Sequence, residues 1–203
     1  MADAVSICNL ALSYLGDAAS VASIDPPDDS PQARYCAVFY PNAVSALLDM
    51  FDWSFATKYA TLSKYSNLDK HGWQGVYAVP GDCIRAIRVR PSEVQHFLLT
   101  KGAEFEIAND AGRTVLYTDA DQPVLSYITS NVNTSVFSPS FTIALAWYLA
   151  NMIAGARVKG KEGFTMSQNI MKQFDLALRQ AKVLDARQQK KRIRFIPGQI
   201  EVR

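Results

Sequence analysis

At 203 residues the chain is long enough for one hydrophobic core, with or without a smaller appendage. Its 49% apolar and 20% charged content excludes a disordered or fibrous composition and fits an ordinary globular protein. The formal charge of +2 hides an asymmetry: from 186 onward six basic residues face Glu201 alone, a net of +5, while the preceding 185 residues carry 15 basic and 18 acidic groups, a net of −3. Such an imbalance concerns partners and association rather than fold.

Met1-Ala2-Asp3 opens a helix-like segment with no basic stretch before it, so no secretory signal is expected and synthesis in the cytoplasm is. Cys8, Cys36 and Cys83 are odd in number and far apart, which argues against a disulfide framework or zinc knuckle and for buried small hydrophobes.

Asp3 is placed to cap a first helix with Val5, Cys8, Leu12 and Leu15 on one face and Gly16 at its left-handed end. The consecutive Pro26 and Pro27 make 17–29 a loop, in which Asp25, Asp28 and Asp29 read as capping and turn residues before a cation site. Ser30-Pro31 then opens a second helix, serine at the N-cap and proline at the first helical position. Its inward stripe is Cys36, Phe39, Ala43, Leu47 and Met50, and Pro41 predicts either a kink near 37–41 or two helices meeting there.

Trp53 and Phe55 follow, two large aromatics where the chain turns, and the periodicity then shifts toward two. Residues 76–78, 83–90, 95–100, 104–108, 114–117 and 124–129 read as strands. Turns fall at Pro80-Gly81-Asp82 and 109–112, and Arg85, Arg88 and Arg90 project from the second strand. Phe105 and Ile107 alternate with Glu104 and Glu106, and Val115 and Tyr117 with Thr114 and Leu116. This is the pattern of an antiparallel meander with one buried face.

Residues 141–156 carry no charge and are apolar on nearly every side, with Phe141, Leu145, Trp147 and Leu149 as their largest core candidates. A helix of that kind must be surrounded by protein. At sixteen residues it is shorter than the ~20 that cross a bilayer, so a membrane span is not expected. Ser140 is read as its N-cap and 159–161 as its stop, within a glycine-rich turn at 159–163. A last helix capped by Thr165 carries Ile170, Phe174, Ala177, Ala181 and Leu184 inward with a polar opposite face. The final stretch KKRIRFIPGQIEVR alternates around Pro197-Gly198 and reads as extended. The expected fold is therefore α+β: a mainly helical bundle of about four helices (1–58 and 134–189), an inserted antiparallel β meander (59–133) and an extended C-terminal arm (190–203).

Chemical motifs are scarce. His71 and His96 have no partner in their local sequence for a metal site or a triad. The segment 155–162 approaches a phosphate-binding loop, but Glu162 stands where a hydroxyl must bind magnesium and a helix, not a strand, precedes it. Asp119 and Asp121 lack the glycine turn and distal glutamate of a calcium loop. No catalytic residue, cofactor or metal ligand is expected, and a hydrolase built from dispersed carboxylates is the weakest reading. The basic tail asks for a partner. Its lysines and arginines suit phosphates, and its alternating Ile193, Phe195, Ile200 and Val202 suit an ordered arm that adds a strand to another chain.

Five pieces occur in order: Trp53-Ser54-Phe55-Ala56-Thr57-Lys58; Tyr77-x-x-Pro80-x-Asp82 entering Cys83-Ile84-Arg85; Leu116-Tyr117-Thr118-Asp119; Phe137-Ser138-Pro139-Ser140-Phe141; and Ala144-Leu145-Ala146. In this order, spanning nearly the full chain, they resemble the tail tubular protein A type of head-to-tail connector (adaptor) of short-tailed bacteriophages. The resemblance implies a homo-oligomeric ring of about twelve subunits in the virion neck, between the portal protein and the tail nozzle protein, with tail fibre nearby and double-stranded DNA passing through the channel. It also implies no catalytic residues, and a C-terminal arm that docks on the portal, here Arg187, Lys190, Lys191, Arg192, Ile193, Arg194, Phe195 and Ile196. The alternative from another class is a DNA-binding module using the same basic tail.

Overall fold

Asp3 closes the start of the first helix with a reciprocal capping box. Its carboxylate accepts from the Ser6 N–H at 2.7 Å, while the Ser6 hydroxyl accepts from the Asp3 N–H at 3.0 Å. The helix, α1, runs Ala4–Tyr14 and ends as the sequence predicts. Gly16 at φ +71 lets its own N–H reach the Ser13 carbonyl and the Asp17 N–H reach that of Leu12, which satisfies two orphan acceptors. The computed structural model describes residues 3–188 apart from 19, 93–101, 111, 158 and 159. The strand expected at 95–100 and the arm at 190–203 lie outside the described residues.

Loop 17–29 is held from within. The Asn9 carboxamide both donates to and accepts from the Val21 backbone, and the Asp28 carboxylate accepts from the backbone of Ala22 and Ser30. Ser30 caps α2 (Pro31–Asp49) through the Ala33 N–H. α2 continues through Pro41 as one helix, so the two-helix alternative falls away. Pro41 lies on the exposed side, where its ring meets solvent and the helix loses only the bond to the Ala37 carbonyl. Met50, expected inward, is the exposed C-cap because the helix has run out there.

α3 (Pro139–Arg157) begins earlier than expected. Ser138, not Ser140, is the cap: its hydroxyl accepts from the Phe141 N–H at 3.2 Å, and Pro139 takes the first helical position. Phe141, Ala144, Leu145, Ala146, Leu149, Ala150, Ile153 and Ala154 are all fully buried, so α3 is the surrounded helix that its composition demands, packed on α1, α2 and α4. α4 (Gly160–Gln188) starts at Gly160, which places Thr165 inside the helix rather than at its cap. Packing along α3 outweighs the ~1 kcal/mol helical penalty of each glycine in this first turn. Ile170, Phe174 and Ala181 face inward as expected. Leu184 is exposed, and Asp185 takes the next buried position.

The strands are antiparallel but fall into two sheets rather than one chain-order meander. β1 (Thr57–Thr61) and β4 (Cys83–Pro91) flank β7 (Pro123–Thr129), and β2 (Lys64–Tyr65), β3 (Gly75–Ala78), β6 (Arg113–Thr118) and β5 (Phe105–Asp110) form the second sheet in that order. β4 shifts register between Cys83 and Arg85 and again between Ala86 and Arg88. These bulges turn Ile84 and Ile87 toward the helices while Cys83, Ala86 and Val89 face the second sheet. Leu116, expected on a polar side, is buried between the sheets against Leu125 and Tyr127, while Val115 and Tyr117 of the same strand pack under Leu68 and Trp73. β6 is thus covered on both faces.

The layers are helices, three-stranded sheet, four-stranded sheet and the 66–74 loop. Among the described residues the fold is α+β with four α-helices and antiparallel sheets, as expected. No helix among the described residues is long and apolar enough to cross a membrane. Truncating Phe141→Ala removes a fully buried ring from the centre of this core and is expected to destabilise the fold by about 3–5 kcal/mol, measured as a lowered urea midpoint with unchanged slope. An unchanged midpoint would show that the ring is not buried.

Candidate functional site

A cluster of specific interactions lies where helices and sheets join. After α2 the chain turns at Trp53, enters the one-turn 3₁₀ helix Ser54–Ala56 and becomes β1. The Trp53 indole is fully buried and donates to the Leu47 carbonyl at 2.8 Å. The Phe141 ring stands edge-on to Trp53 and Phe55, at 4.9 Å from each, and 4.7 Å from Phe137.

Two carboxylates lock this joint. Asp185, buried near the end of α4, accepts from the Ser54 N–H at 2.9 Å and from its hydroxyl at 2.7 Å. In effect α4 supplies the cap of a helix turn 131 positions earlier in the chain. Asp82, in the turn before β4, accepts from Thr129 at 2.7 Å, Lys58 at 3.0 Å and Tyr127 at 3.0 Å, tying β1, β7 and the β3–β4 turn together. The Thr129 and Lys58 donors hold its carboxyl down at about 2. Burial first, and then the Asp82 carboxylate, push the Tyr127 phenol up to about 12.

A second feature is an open groove of about 770 Å³ between Tyr14 on α1, Trp147 on α3 and the Met166, Asn169, Ile170 and Gln173 row of α4. Tyr14 and Trp147 stack at 3.8 Å with their planes 12° apart. Trp147, expected in the core, is half-buried and lines this groove because Tyr14 covers one face of its indole. Of the other core candidates, Trp53, Phe141, Leu145 and Leu149 are fully buried and Phe55 is half-buried at the joint.

Arg187 is exposed in the last turn of α4. Lys190, Lys191, Arg192, Ile193, Arg194, Phe195 and Ile196 lie outside the described residues, as does His96. His71 is exposed, 3.9 Å from Asp69 and edge-on to Tyr117. Asp119 accepts from the Gln74 N–H and Asp121 from that of Gln122, so both carboxylates are turn acceptors. Asp28 has its loop role, with the Ser30 hydroxyl as the largest cause of a pKa lowered to about 2. Arg85 reaches back to Asp49 and Asp52, fastening β4 to the end of α2. Among the described residues no group of three or more His, Cys, Asp or Glu side chains is placed to hold a metal ion.

Asp185 and the partners of Asp82 escaped sequence reasoning. A signal existed for the first: Asp185 stands four residues after Ala181 on the apolar stripe, where a charge demands a partner. No signal existed for the second, because its donors lie 24, 45 and 47 positions away. No protein-family model and no curated protein matches the chain.

Asp185→Ala leaves the Ser54 N–H without its acceptor and is expected to cost about 1–3 kcal/mol by urea denaturation, with Asp185→Asn intermediate. A change within error for both would dismiss the lock. For Asp82, the folded pKa is depressed below its ordinary value, so its contribution is fully present above about pH 4 and is lost as pH falls to about 2. The stability difference between wild type and Asp82→Asn should be constant above pH 4 and shrink below it. A difference independent of pH would contradict this assignment.

Proposed function

We propose that the protein is a structural virion component, a head-to-tail connector that forms a ring of about twelve subunits between portal and tail nozzle, with DNA passing through the channel. The observation that carries this reading is where the residues of the resemblance fall. Trp53, Ser54, Lys58, Asp82, Phe137 and Phe141 come from three separate pieces of the sequence, and all take part in the one joint that fixes the sheets to the helical body. The residues that carry the resemblance thus join the two parts of the subunit, which is what supports reading it as a load-transmitting ring component.

In this reading the helices form the ring body and the sheets present a surface to nozzle or fibre. The basic segment from Arg187 onward docks on the portal. The +5 charge of residues 186–203 also favours a second reading, a DNA-binding module that neutralises phosphates.

The mass of the purified protein, alone and mixed with portal, tests the first reading. A ring, or a stable complex with portal, is expected; a 22.5 kDa monomer under both conditions would overturn it. Deleting 190–203 should leave the body folded and abolish portal docking. Duplex binding that weakens steeply between low and physiological salt, without any portal association, would favour the second reading.

A further inference from the structure

α4 carries two rows with the same spacing. Ile170, Phe174 and Ala181 turn inward on α3, whereas Asn169, Gln173, Leu176, Gln180, Val183 and Arg187, spaced 4-3-4-3-4, form an outer row. The sequence predicts a polar outer face, yet Leu176 and Val183 are 61% and 54% exposed. The charged Lys172, Asp175, Arg179 and Lys182 all stand off this row, so it is uncharged until Arg187 at its end. Apolar and carboxamide side chains at heptad spacing on an exposed helix are what a second helix packs against.

α2 offers the matching face. Between Arg34 and Asp49 its exposed residues are Val38, 60% exposed, with Pro41, Asn42 and Ser45, none of them charged. Pro41 supplies no N–H to the Ala37 carbonyl, which leaves an acceptor for a carboxamide. The lengths also match: α2 has 19 residues, and positions 169–187 are a stretch of about the same ~27 Å. Charge is complementary. Residues 3–29, which lead into α2, carry five aspartates and no base, with Asp29 exposed just before the helix, while on α2 itself exposed Arg34 stands at one end of the face and Asp49, paired with Arg85, at the other. Lys172, Arg179 and Arg187 border the α4 row.

The two faces cannot cover each other within one chain. α3 packs on both helices, and α4 approaches the end of α2 only beyond it, where Lys182 stands over the Phe51 ring and Asp185 holds Ser54. Complementary faces on different sides of one subunit associate head to tail, the contact type that closes into rings. We infer that the outer α4 row of one copy packs on the exposed α2 face of the next copy as the repeated contact of the assembly. This rests on the connector reading and names the surface that builds its ring.

Single-cysteine additions test it in the assembled state, with portal present where assembly needs it. Val38→Cys and Val183→Cys are placed at exposed positions, and each variant is checked for native circular dichroism. Under mild oxidation with oxidised glutathione, the mixture of the two variants should give a cross-linked dimer on a non-reducing gel, and neither variant alone should. Leu176→Glu should lower the assembled fraction by about tenfold or more, equivalent to at least one lost apolar contact. Cross-linking of Val183→Cys with itself, or normal assembly of Leu176→Glu with no mixed cross-link, would overturn the inference and leave the ring reading standing. A wild-type monomer, alone and with portal, would overturn both.

Discussion

The packing of Phe141 edge-on against Trp53 and Phe55 and tilted against Phe137 is the constraint on which the rest of the structure depends. Phe141 is in the first turn of α3, Trp53 and Phe55 bracket the passage from α2 into β1, and Phe137 leads out of the sheets toward α3. The chain enters and leaves its β portion at one place, since Thr57 of β1 pairs with Ile128 of β7. An insertion whose two ends meet costs its host little distortion. Its orientation is then set by whatever fixes those ends, and here four aromatic rings do so.

Polar groups refine what the rings establish. Asp185 brings the far end of α4 to the Ser54 turn, and Asp82, in the β3–β4 turn, gathers three donors from β1 and β7 on one carboxylate. Burying the Asp185 charge is offset by two hydrogen bonds from Ser54, and Asp82 adds two hydroxyl donors to its ion pair with Lys58, which makes each contact directional. Arg85 adds a third tie, from β4 to the end of α2. The helical and β parts are thus bound by an apolar contact at the centre and by oriented polar contacts around it.

Helices were legible in the sequence because their signals are local. Asp3, Gly16, Ser30 and Pro31 act within a few residues of where they stand, and the apolar composition of α3 can only be a surrounded helix. The Ser138–Ser140 ambiguity shows the limit of such signals: two serines flank one proline, and the preference for proline at the first helical position decides between them. The start of α4 was less legible, because glycine propensity argues for a turn at 159–163 whereas the helix already begins at Gly160 and packs along α3. Sheet order was not legible at all. Pairing β1 with β7 depends on closing a loop of some seventy residues, and β6, buried on both faces, shows no alternation to read. The two bulges in β4 hid its facing, since they replace a period of two with one near three. Of the candidate site, the aromatics announced themselves by size, whereas the outer row of α4 was masked by the glutamines that share it.

Through the Phe141 joint the helices and sheets are expected to form one cooperative unit, the property that the proposed connector role would require. Native-state hydrogen exchange measures this directly. Slow amides in the middle of α3 and in β7 should open with the same free energy, and a mutation confined to the ring of Phe141 should lower both equally. Loss of protection in α3 with β7 unaffected would contradict the account, because the sheets would then be a separate unit merely tethered to the helical body.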